Sequence, residues 1–438
     1  MRKLITLASF LNILIANSLT IYNNNFASYS NNIDFNITKQ KFTLYYKDFP
    51  KTILIDSIYP KFSQNIKIIS QVVSIKQNLM TNLLKSNLNK KVEFFENRFS
   101  KKTKSGVLIS IDPIVIKSND KYFIIKDSSR LIYSFFPKIN NSYIKWNLFA
   151  NDSTNKARLK LSYQFSGIKW SSNYIATLNK KNLNLLALAK IENTTNKDFK
   201  DINLTLIAGD INKNIIQKHT LYKSSTKALA MSVAPQIKPN ISSLDGFYKY
   251  KFKIKEDILK GKTTYLPLFD NIKLPYKKYY IAYNSNFNNY GIRKLNFTQI
   301  IEFKNKLNIP LPSGKVKLYK DNSFIGEDYI NNVSKNDIVK LKTAVSFDIK
   351  GEKKIIKFIS KEHYKYIKTK YLIYNKSLKG VTIKIKESLP RYGNKINLQT
   401  TCKDICKRVK DSAFLQTYII NLDANSSYNF SSSFEINF

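Results

Sequence analysis

The amino-acid sequence predicts an all-β protein of several domains. Short apolar runs alternate with clusters of Asn, Asp, Lys and Thr, which is the pattern of strands joined by polar turns. One stretch near residue 80, NLMTNLLKSNL, instead has the spacing of a short helix. The chain has 438 residues. At about 150 residues per domain, this length leaves room for roughly three domains with separate cores.

The composition describes a folded, strongly basic chain. An apolar fraction of 43% with 13% aromatic residues excludes intrinsic disorder. Lys and Arg number 73 against 30 Asp and Glu, a net charge of +43, and only seven of the basic residues are Arg. Such an excess favours polyanions or anionic membrane surfaces as partners. A genome biased toward Lys, Asn and Ile would explain the Lys count, but not the scarcity of acids.

The N-terminus has the pattern of an export signal. Arg2 and Lys3 precede an apolar run over 4–15, and small residues stand at Ala16 and Ser18. This predicts a signal peptide over 1–18, cleavage after Ser18, and a periplasmic or envelope-associated protein. The run is too short to span a bilayer as a helix, and no later segment reaches eighteen apolar residues. We therefore expect no transmembrane helix in the mature chain.

The first part of the mature chain divides into two β regions. Residues 19–77 form the N-terminal β region, with strand patterns in LTIYNNNF, KFTLYYKDF, KTILIDSIY and NIKIISQVVSI. Residues 78–137 begin with the short helix and continue through KVEFF, SGVLISI, IVIKS and KYFIIKD. Four short strands in succession predict a small barrel-like unit. Pro137 marks its end.

The rest of the chain predicts a sandwich and a final domain. Residues 138–345 form a central β-sandwich organised around 167–210, with Trp170 expected in its core. Within it, 213–244 has a weak pattern typical of a loop. Residues 346–438 have the strand rhythm of an immunoglobulin-like domain, one strand in about every 8 to 12 residues.

The 167–210 stretch also carries a family resemblance. GIKWSSNYIATL followed by LALAKIENTTNKDFKDINLTLIAGDIN resembles the core of secreted bacterial proteins that carry domain of unknown function 4139, a group related to mucoidy inhibitor A. Further segments fit the same pattern in order: LTIYNNNFA, LLKSNLNKKVEFF, FKNKLNIPLPSGKVKLYK and YLIYNKSLKGVTIKIKESLP. The resemblance spans nearly the whole mature chain. It implies an architecture and an envelope location, but no catalytic residues.

The sulfur and imidazole residues predict no metal site. The two His, His219 and His363, are far apart, and the two Cys lie in CKDIC at Cys402 and Cys406. Zinc sites of this type need three or four ligands, and CKDIC offers two. In an oxidising compartment the pair favours a short disulfide, with free thiols or a metal ligand pair as the alternatives. We expect no cofactor.

Catalytic patterns are weak. Ser-x-x-Lys occurs at Ser118 and at Ser224, but neither lies in a predicted helix, and so abundant a residue as Lys produces such matches by chance. The acidic pairs at 256–257 and 327–328 are adjacent residues, which face opposite ways on a strand. A glycan hydrolase built from distant carboxylates remains an alternative. No catalytic residue is predicted.

The C-terminal segment SYNFSSSFEINF alternates strictly and ends in an aromatic residue. Terminal strands of outer-membrane barrels have this pattern, and so do the last strands of sandwiches. Because the chain lacks a regular ladder of strands about ten residues long, the sequence favours the sandwich and keeps the outer-membrane barrel as an alternative.

One strand pattern predicts a binding surface. In YKYKFKIK, four apolar residues alternate with Lys249, Lys251, Lys253 and Lys255. The lysines share one face of the strand, where they face either acidic side chains of a neighbouring strand or an external polyanion. No aromatic residue lies between the lysines on their own face of the strand, which argues against nucleic acid. The sequence thus predicts a secreted envelope protein that binds or scaffolds anionic polymers or lipid head groups.

Overall fold

The computed structural model describes residues 17–37, 39–63, 65–75, 79–137, 141–151, 156–209, 239–285, 291–389 and 395–437. The side chains of Lys253, Ile254 and Lys395 also lie outside the description. Strands make up 70% and helices 4%. The all-β class is therefore confirmed.

The described chain consists of strands, one α-helix and two 3₁₀ turns. Its first half forms β1 (Ser18–Tyr22), β2 (Phe26–Asn36), β3 (Lys41–Tyr46), β4 (Tyr59–Phe62), β5 (Ile66–Ser74), α1 (Leu79–Ser86), β6 (Lys91–Phe94), β7 (Lys104–Ile111), β8 (Ile114–Ser118), β9 (Lys121–Ile125), β10 (Leu131–Tyr133), β11 (Tyr143–Ala150), β12 (Lys156–Ser166), β13 (Ile168–Leu178), β14 (Asn182–Asn193) and β15 (Phe199–Ala208). Its second half forms β16 (Asn240–Leu244), β17 (Phe247–Ile258), β18 (Lys262–Asn284), β19 (Ile292–Lys304), β20 (Gly314–Lys320), β21 (Ser323–Ile330), β22 (Ile338–Lys361), β23 (Tyr364–Asn375), β24 (Val381–Ser388), β25 (Lys395–Thr400), β26 (Cys406–Ser412), β27 (Leu415–Leu422) and β28 (Ser426–Asn437).

Two sheets pack face to face in the central sandwich. A seven-stranded sheet in the order β16-β17-β15-β1-β2-β12-β4 covers one side of the core, and β21-β20-β13-β14-β18-β19-β22 of a thirteen-stranded sheet covers the other. Every second residue of β12, β13 and β14 is buried, as alternation along a half-buried strand requires. Trp170 is 2% exposed in this core, which confirms its predicted burial.

A small unit interrupts the N-terminal region. Five antiparallel strands in the order β10-β6-β7-β8-β9 form its sheet. Leu84 of α1 packs on Phe94, Leu108 and Ile116 in a core of its own. The helix and the first four strands lie where the sequence predicted them, whereas β10 was not predicted. β9 and β10 are the two edges of an open sheet, so the predicted barrel-like unit is not a closed barrel.

The C-terminal sandwich encloses a second large core. Residues of β23 and β28 pack against residues of β24, β26 and β27, and the ends of β18, β19 and β22 contribute to the same cluster. β18 has 23 residues and β22 has 24, and a strand of that length, about 75 Å, can serve two cores in succession. The predicted boundary at 345–346 falls within β22, where Val345 and Phe347 are exposed between the two cores. The immunoglobulin-like assignment stays a prediction.

Three strand ends share a turn built around a buried Asn. The side-chain amide of Asn193, Asn305 or Asn375 donates to the main-chain carbonyl four residues later, at 3.0, 3.1 and 2.8 Å. The side-chain oxygen accepts the N–H two residues later, at 3.0, 3.2 and 3.0 Å. Each turn redirects the chain into its next strand. The repeat is irregularly spaced, so no short period in the sequence announces it.

Two local expectations differ from the structure. Within KTILIDSIY, the chain forms an isolated bridge at Ile53 and a 3₁₀ turn over Ile55–Ser57, and β4 begins only at Tyr59. Pro50 accepts the Ile53 N–H in a tight turn that stops the strand. Of the predicted loop over 213–244, residues 213–238 lie outside the described residues, while Asn240–Leu244 is β16.

Candidate functional site

β17 carries the predicted lysine face. Tyr250 and Phe252 enter the central core at 1% and 2% exposure, which turns the alternate residues outward. Tyr248, near the start of the strand, is exposed instead. The lysine face consists of Lys249, Lys251 and Lys255, since the side chain of Lys253 lies outside the described residues.

The lysines of this face have different neighbours. Lys255 forms an ion pair with Asp201 on β15, at 2.9 Å. Lys249 stands between Ile207 and Ser242 in the ladder, and Lys251 between Thr205 and Asn240. Among the described residues, neither Lys249 nor Lys251 forms an ion pair. Of the three described lysines of the face, one thus forms an ion pair with an acidic residue of the neighbouring strand, and the other two form no ion pair with a described residue.

Small polar side chains continue the same surface across the seven-stranded sheet. From Lys251 the ladder passes through Thr205, Thr20, Ser28 and Gln164. The parallel row passes from Lys255 through Asn203, Ser18, Ser30 and Ser162. Ser18 precedes the predicted cleavage point, so we call the other hydroxyl and amide residues of these two rows the polar face: Thr20, Ser28, Ser30, Ser162, Gln164, Asn203 and Thr205. Each is partly exposed.

A second group of cations flanks the polar face. Lys160 on β12 lies directly opposite Lys61 on β4. Beside them, Arg158 forms two hydrogen bonds with Asp34, at 2.6 and 3.1 Å, and this guanidinium lowers the pKa of Asp34. At about 4.8 Å per strand, β12 lies about 19 Å from β17 across the sheet. The lysines of β17 therefore lie at one end of the polar rows, and the Lys61 and Lys160 pair lies beside their other end, where Tyr59 stands opposite Ser162.

The other sequence candidates have structural roles. Cys402 and Cys406 form a disulfide that joins the segment before β26 to the C-terminal core, where Cys406 is 5% exposed. Ser118 lies in the β8–β9 hairpin and donates to the Ser105 carbonyl at 2.6 Å. Glu327 pairs with Lys315 at 2.8 Å. His363 is exposed, whereas His219 and Ser224 lie outside the described residues. No cluster of three or more metal-ligating side chains occurs among the described residues.

Sequence reasoning missed a cleft at one end of the C-terminal sandwich. It has a volume of about 840 Å³ and lies among β18, β22, the β23–β24 turn and the end of β27. Its charged lining residues are Lys278, Lys320, Lys376, Lys379, Asp348 and Asp423. These residues are separated by up to 145 positions, so no local pattern could have identified them.

Sequence reasoning also missed a buried carboxylate. Glu387 is fully buried and accepts hydrogen bonds from Tyr371, Gln416, Tyr418, Ser432 and Asn284. Its negative charge and its hydrogen bond contribute, after burial itself, to raising the pKa of Tyr371. With five donors around it and no exposed surface, Glu387 is a structural group of the C-terminal core.

Comparison with protein-family models, with curated proteins and with solved structures finds no match for this chain. The resemblance to domain of unknown function 4139 therefore stays a prediction. Among the described residues, no helix has the length and the apolar character to cross a bilayer.

Proposed function

We propose that this protein is a secreted envelope protein that binds anionic polymers through the lysine face and the adjoining polar face. The observation that carries the proposal is the position of Lys249 and Lys251. Both lie on the outer side of a sheet, and uncharged residues stand opposite them on both neighbouring strands. No described carboxylate neutralises either lysine, so each can pair with an external anion.

Electrostatics favours such a partner. Successive lysines on one face of a strand are about 7 Å apart, and this distance is within the Debye length of about 8 Å at physiological salt. The ammonium groups repel one another at this distance. An anion placed across Lys249 and Lys251 removes that repulsion, and contacts of this kind weaken as salt rises.

The polar face favours an acidic polysaccharide among the anionic polymers. Hydroxyl and amide groups can donate to and accept from sugar hydroxyls. The lysines on β17 and the Lys61 and Lys160 pair on the far side can bind carboxylate or sulfate groups. The sequence pattern of an export signal and the family resemblance support an envelope location.

A binding assay with two lysines removed tests the proposal. Lys249→Gln with Lys251→Gln should weaken binding to polygalacturonate and lower the slope of log affinity against log salt by up to about one per lysine lost. Neutral dextran should bind weakly to both proteins. The matched control is Lys180→Gln with Lys181→Gln, which removes two exposed charges from the turn between β13 and β14.

The outcome separates charge at this face from net charge. If both double variants lose the same affinity, general charge explains the binding and the proposed site is wrong. An unchanged salt slope in the Lys249 and Lys251 variant would assign these lysines to structure. Anionic vesicles, tested in parallel, distinguish a lipid surface from a polysaccharide.

The export prediction has its own test. Expression in a bacterial host followed by cell fractionation should place the protein in the periplasmic fraction, with Leu19 as the first residue on N-terminal sequencing. β1 begins at Ser18, and Leu19 is its first fully buried residue, so this cleavage would leave the buried part of the strand in place. Material that begins at Met1 in the cytosolic fraction would contradict the prediction.

One specific observation favours the alternative of a glycan hydrolase: Asp348 and Asp423 both line the cleft. Glycoside hydrolysis requires two carboxyl groups facing one cleft. An activity of this kind should shorten polysaccharide chains and should be lost in Asp348→Asn and in Asp423→Asn. Unchanged chain lengths with the wild-type protein over a broad set of envelope glycans would exclude it.

A further inference from the structure

The cleft of the C-terminal sandwich has preformed walls. Its turn, residues 376–380, is held by Asn375, which is 1% exposed. The Asn375 amide donates to the carbonyls of Lys379 and Asp423, at 2.8 and 2.7 Å, and its oxygen accepts the Ser377 hydroxyl at 2.7 Å. These bonds fix the turn to the end of β27. A preformed site loses little entropy when a ligand binds.

Cations predominate around the cleft. Four lysines line it, against Asp348 and Asp423. Among the described residues, Lys278 has no carboxylate within ion-pair distance, and Lys320 reaches only the largely exposed Asp321, at 4.0 Å. The described residues therefore leave an excess of positive charge in the cleft.

The positive charges of Lys278 and Lys320 repel each other. Burial lowers the pKa of Lys278, and the positive charge of Lys320 lowers it further. Lys278 as a whole is exposed, so the shift reflects the immediate surroundings of its ammonium group. An anion between these two lysines would remove the repulsion.

The remaining lining suits a sugar. Ser377, Thr382, Tyr280 and Asn421 line the walls. The Ser377 and Thr382 hydroxyls donate to Asn375 and Asn421, so their oxygens can accept from sugar hydroxyls, and the Asn421 amide can donate to them. The two Asp can accept hydrogen bonds from sugar hydroxyls. A volume of about 840 Å³ is also far more than a single phosphate needs and lies in the range of small-molecule sites.

We infer that this cleft is a binding site for a phosphate-bearing sugar, with Lys278 and Lys320 on the phosphate and the polar wall on the sugar. Lys is a strong point-charge partner of phosphate. Lys376 and Lys379 on the turn add to the attraction at the mouth. The site lies apart from the lysine face and does not rest on polymer binding there.

Titration calorimetry with glucose 1-phosphate tests the inference. The wild-type protein should bind it more tightly than inorganic phosphate and much more tightly than glucose. Lys278→Gln with Lys320→Gln should weaken glucose 1-phosphate binding by about tenfold or more. The matched control, Lys101→Gln with Lys102→Gln, removes two exposed lysines of the small unit and should leave this affinity unchanged. Thermal unfolding of each variant checks that the fold is intact.

Each result decides a part of the inference. Equal affinity in wild type and the cleft variant, or no binding at millimolar glucose 1-phosphate, would overturn it. Equal affinity for inorganic phosphate and glucose 1-phosphate would overturn the sugar part. Vesicles containing phosphatidylinositol identify the source: binding lost in the cleft variant indicates a lipid-borne sugar phosphate, while binding of glucose 1-phosphate alone indicates a soluble or polymer-borne one. Loss of polygalacturonate binding with retained glucose 1-phosphate binding would affect only the lysine face.

Discussion

Replacing Trp170 tests the packing of the central sandwich. The side chain is 2% exposed, its indole N–H donates to the Ile207 carbonyl at 2.9 Å, and its ring meets that of Tyr250 edge-on at 5.9 Å. Removal of about 200 Å² of buried aromatic surface at about 25 cal/mol per Å² gives an upper value of about 5 kcal/mol. We expect Trp170→Ala to lower the free energy of unfolding by about 3 to 5 kcal/mol.

Trp170→Phe separates the hydrogen bond from the packing. Phe keeps one ring against Tyr250 but cannot donate to the Ile207 carbonyl. Loss of one buried donor costs about 1 to 3 kcal/mol, so the Phe variant should lie between wild type and the Ala variant. Urea unfolding followed by far-UV circular dichroism measures both. Trp146, in the same core, supplies a fluorescence signal for this sandwich.

Two results would refute this reasoning. A loss below about 1 kcal/mol in Trp170→Ala would show that the side chain is not a packed core residue. Reduced polygalacturonate binding with an unchanged urea midpoint would show that Trp170 is instead a sugar-stacking platform.

Three further predictions concern the C-terminal sandwich. Burial, and then the charge of Arg293, lower the pKa of Lys353 from 10.5 to about 8. Between these two pH values the unfolded chain binds more protons than the folded chain, so the free energy of unfolding of wild type should rise from pH 8 to 9.5 by up to about 1.4 kcal/mol per pH unit relative to Lys353→Met. Urea unfolding measures this difference, and a difference that does not change with pH would contradict the shift. Asn375→Ala removes the donor to the turn carbonyls and should cost about 2 to 4 kcal/mol in thermal unfolding, while a cost near zero would show that the turn stands without it. The disulfide between Cys402 and Cys406 closes a very short loop, so its constraint on the unfolded chain stabilises the protein by only about 2 kcal/mol. Reduction with dithiothreitol should therefore lower the unfolding midpoint only modestly. Complete unfolding on reduction would contradict a local role.

The positions of most strands could be predicted from the sequence because the alternation of apolar and polar residues is a local property. In β13 and β14 every second side chain is buried, and all of these except Ser172 and Asn193 are apolar, because the side chains of a strand alternate between its two faces. The same rule located the core position of Trp170 and the outward lysines of β17. Local pattern also placed α1 and the strands β6 to β9, which pair in sequence order, but not β10, which pairs with the more distant β6.

Pairing between distant strands could not be predicted in this way. β1 lies parallel to β15, β13 to β20 and β18 to β24, and nothing within a single strand specifies a parallel partner more than a hundred residues away. β18 and β22 each serve two cores because they are long enough to run from one core into the next. A boundary based on composition cannot detect a strand that continues across it.

For the chemistry of the surfaces as well, part was determined by the sequence and part only by the tertiary structure. The sequence by itself determined the excess of positive charge, the alternation that exposes Lys249 and Lys251, and the close spacing of Cys402 and Cys406. Only the tertiary structure decided which charges are neutralised, because an ion pair such as Lys255 with Asp201 depends on strand register. The cleft, too, could be found only from the tertiary structure, since Lys278 and Asp423 lie on its walls although they are distant in the sequence.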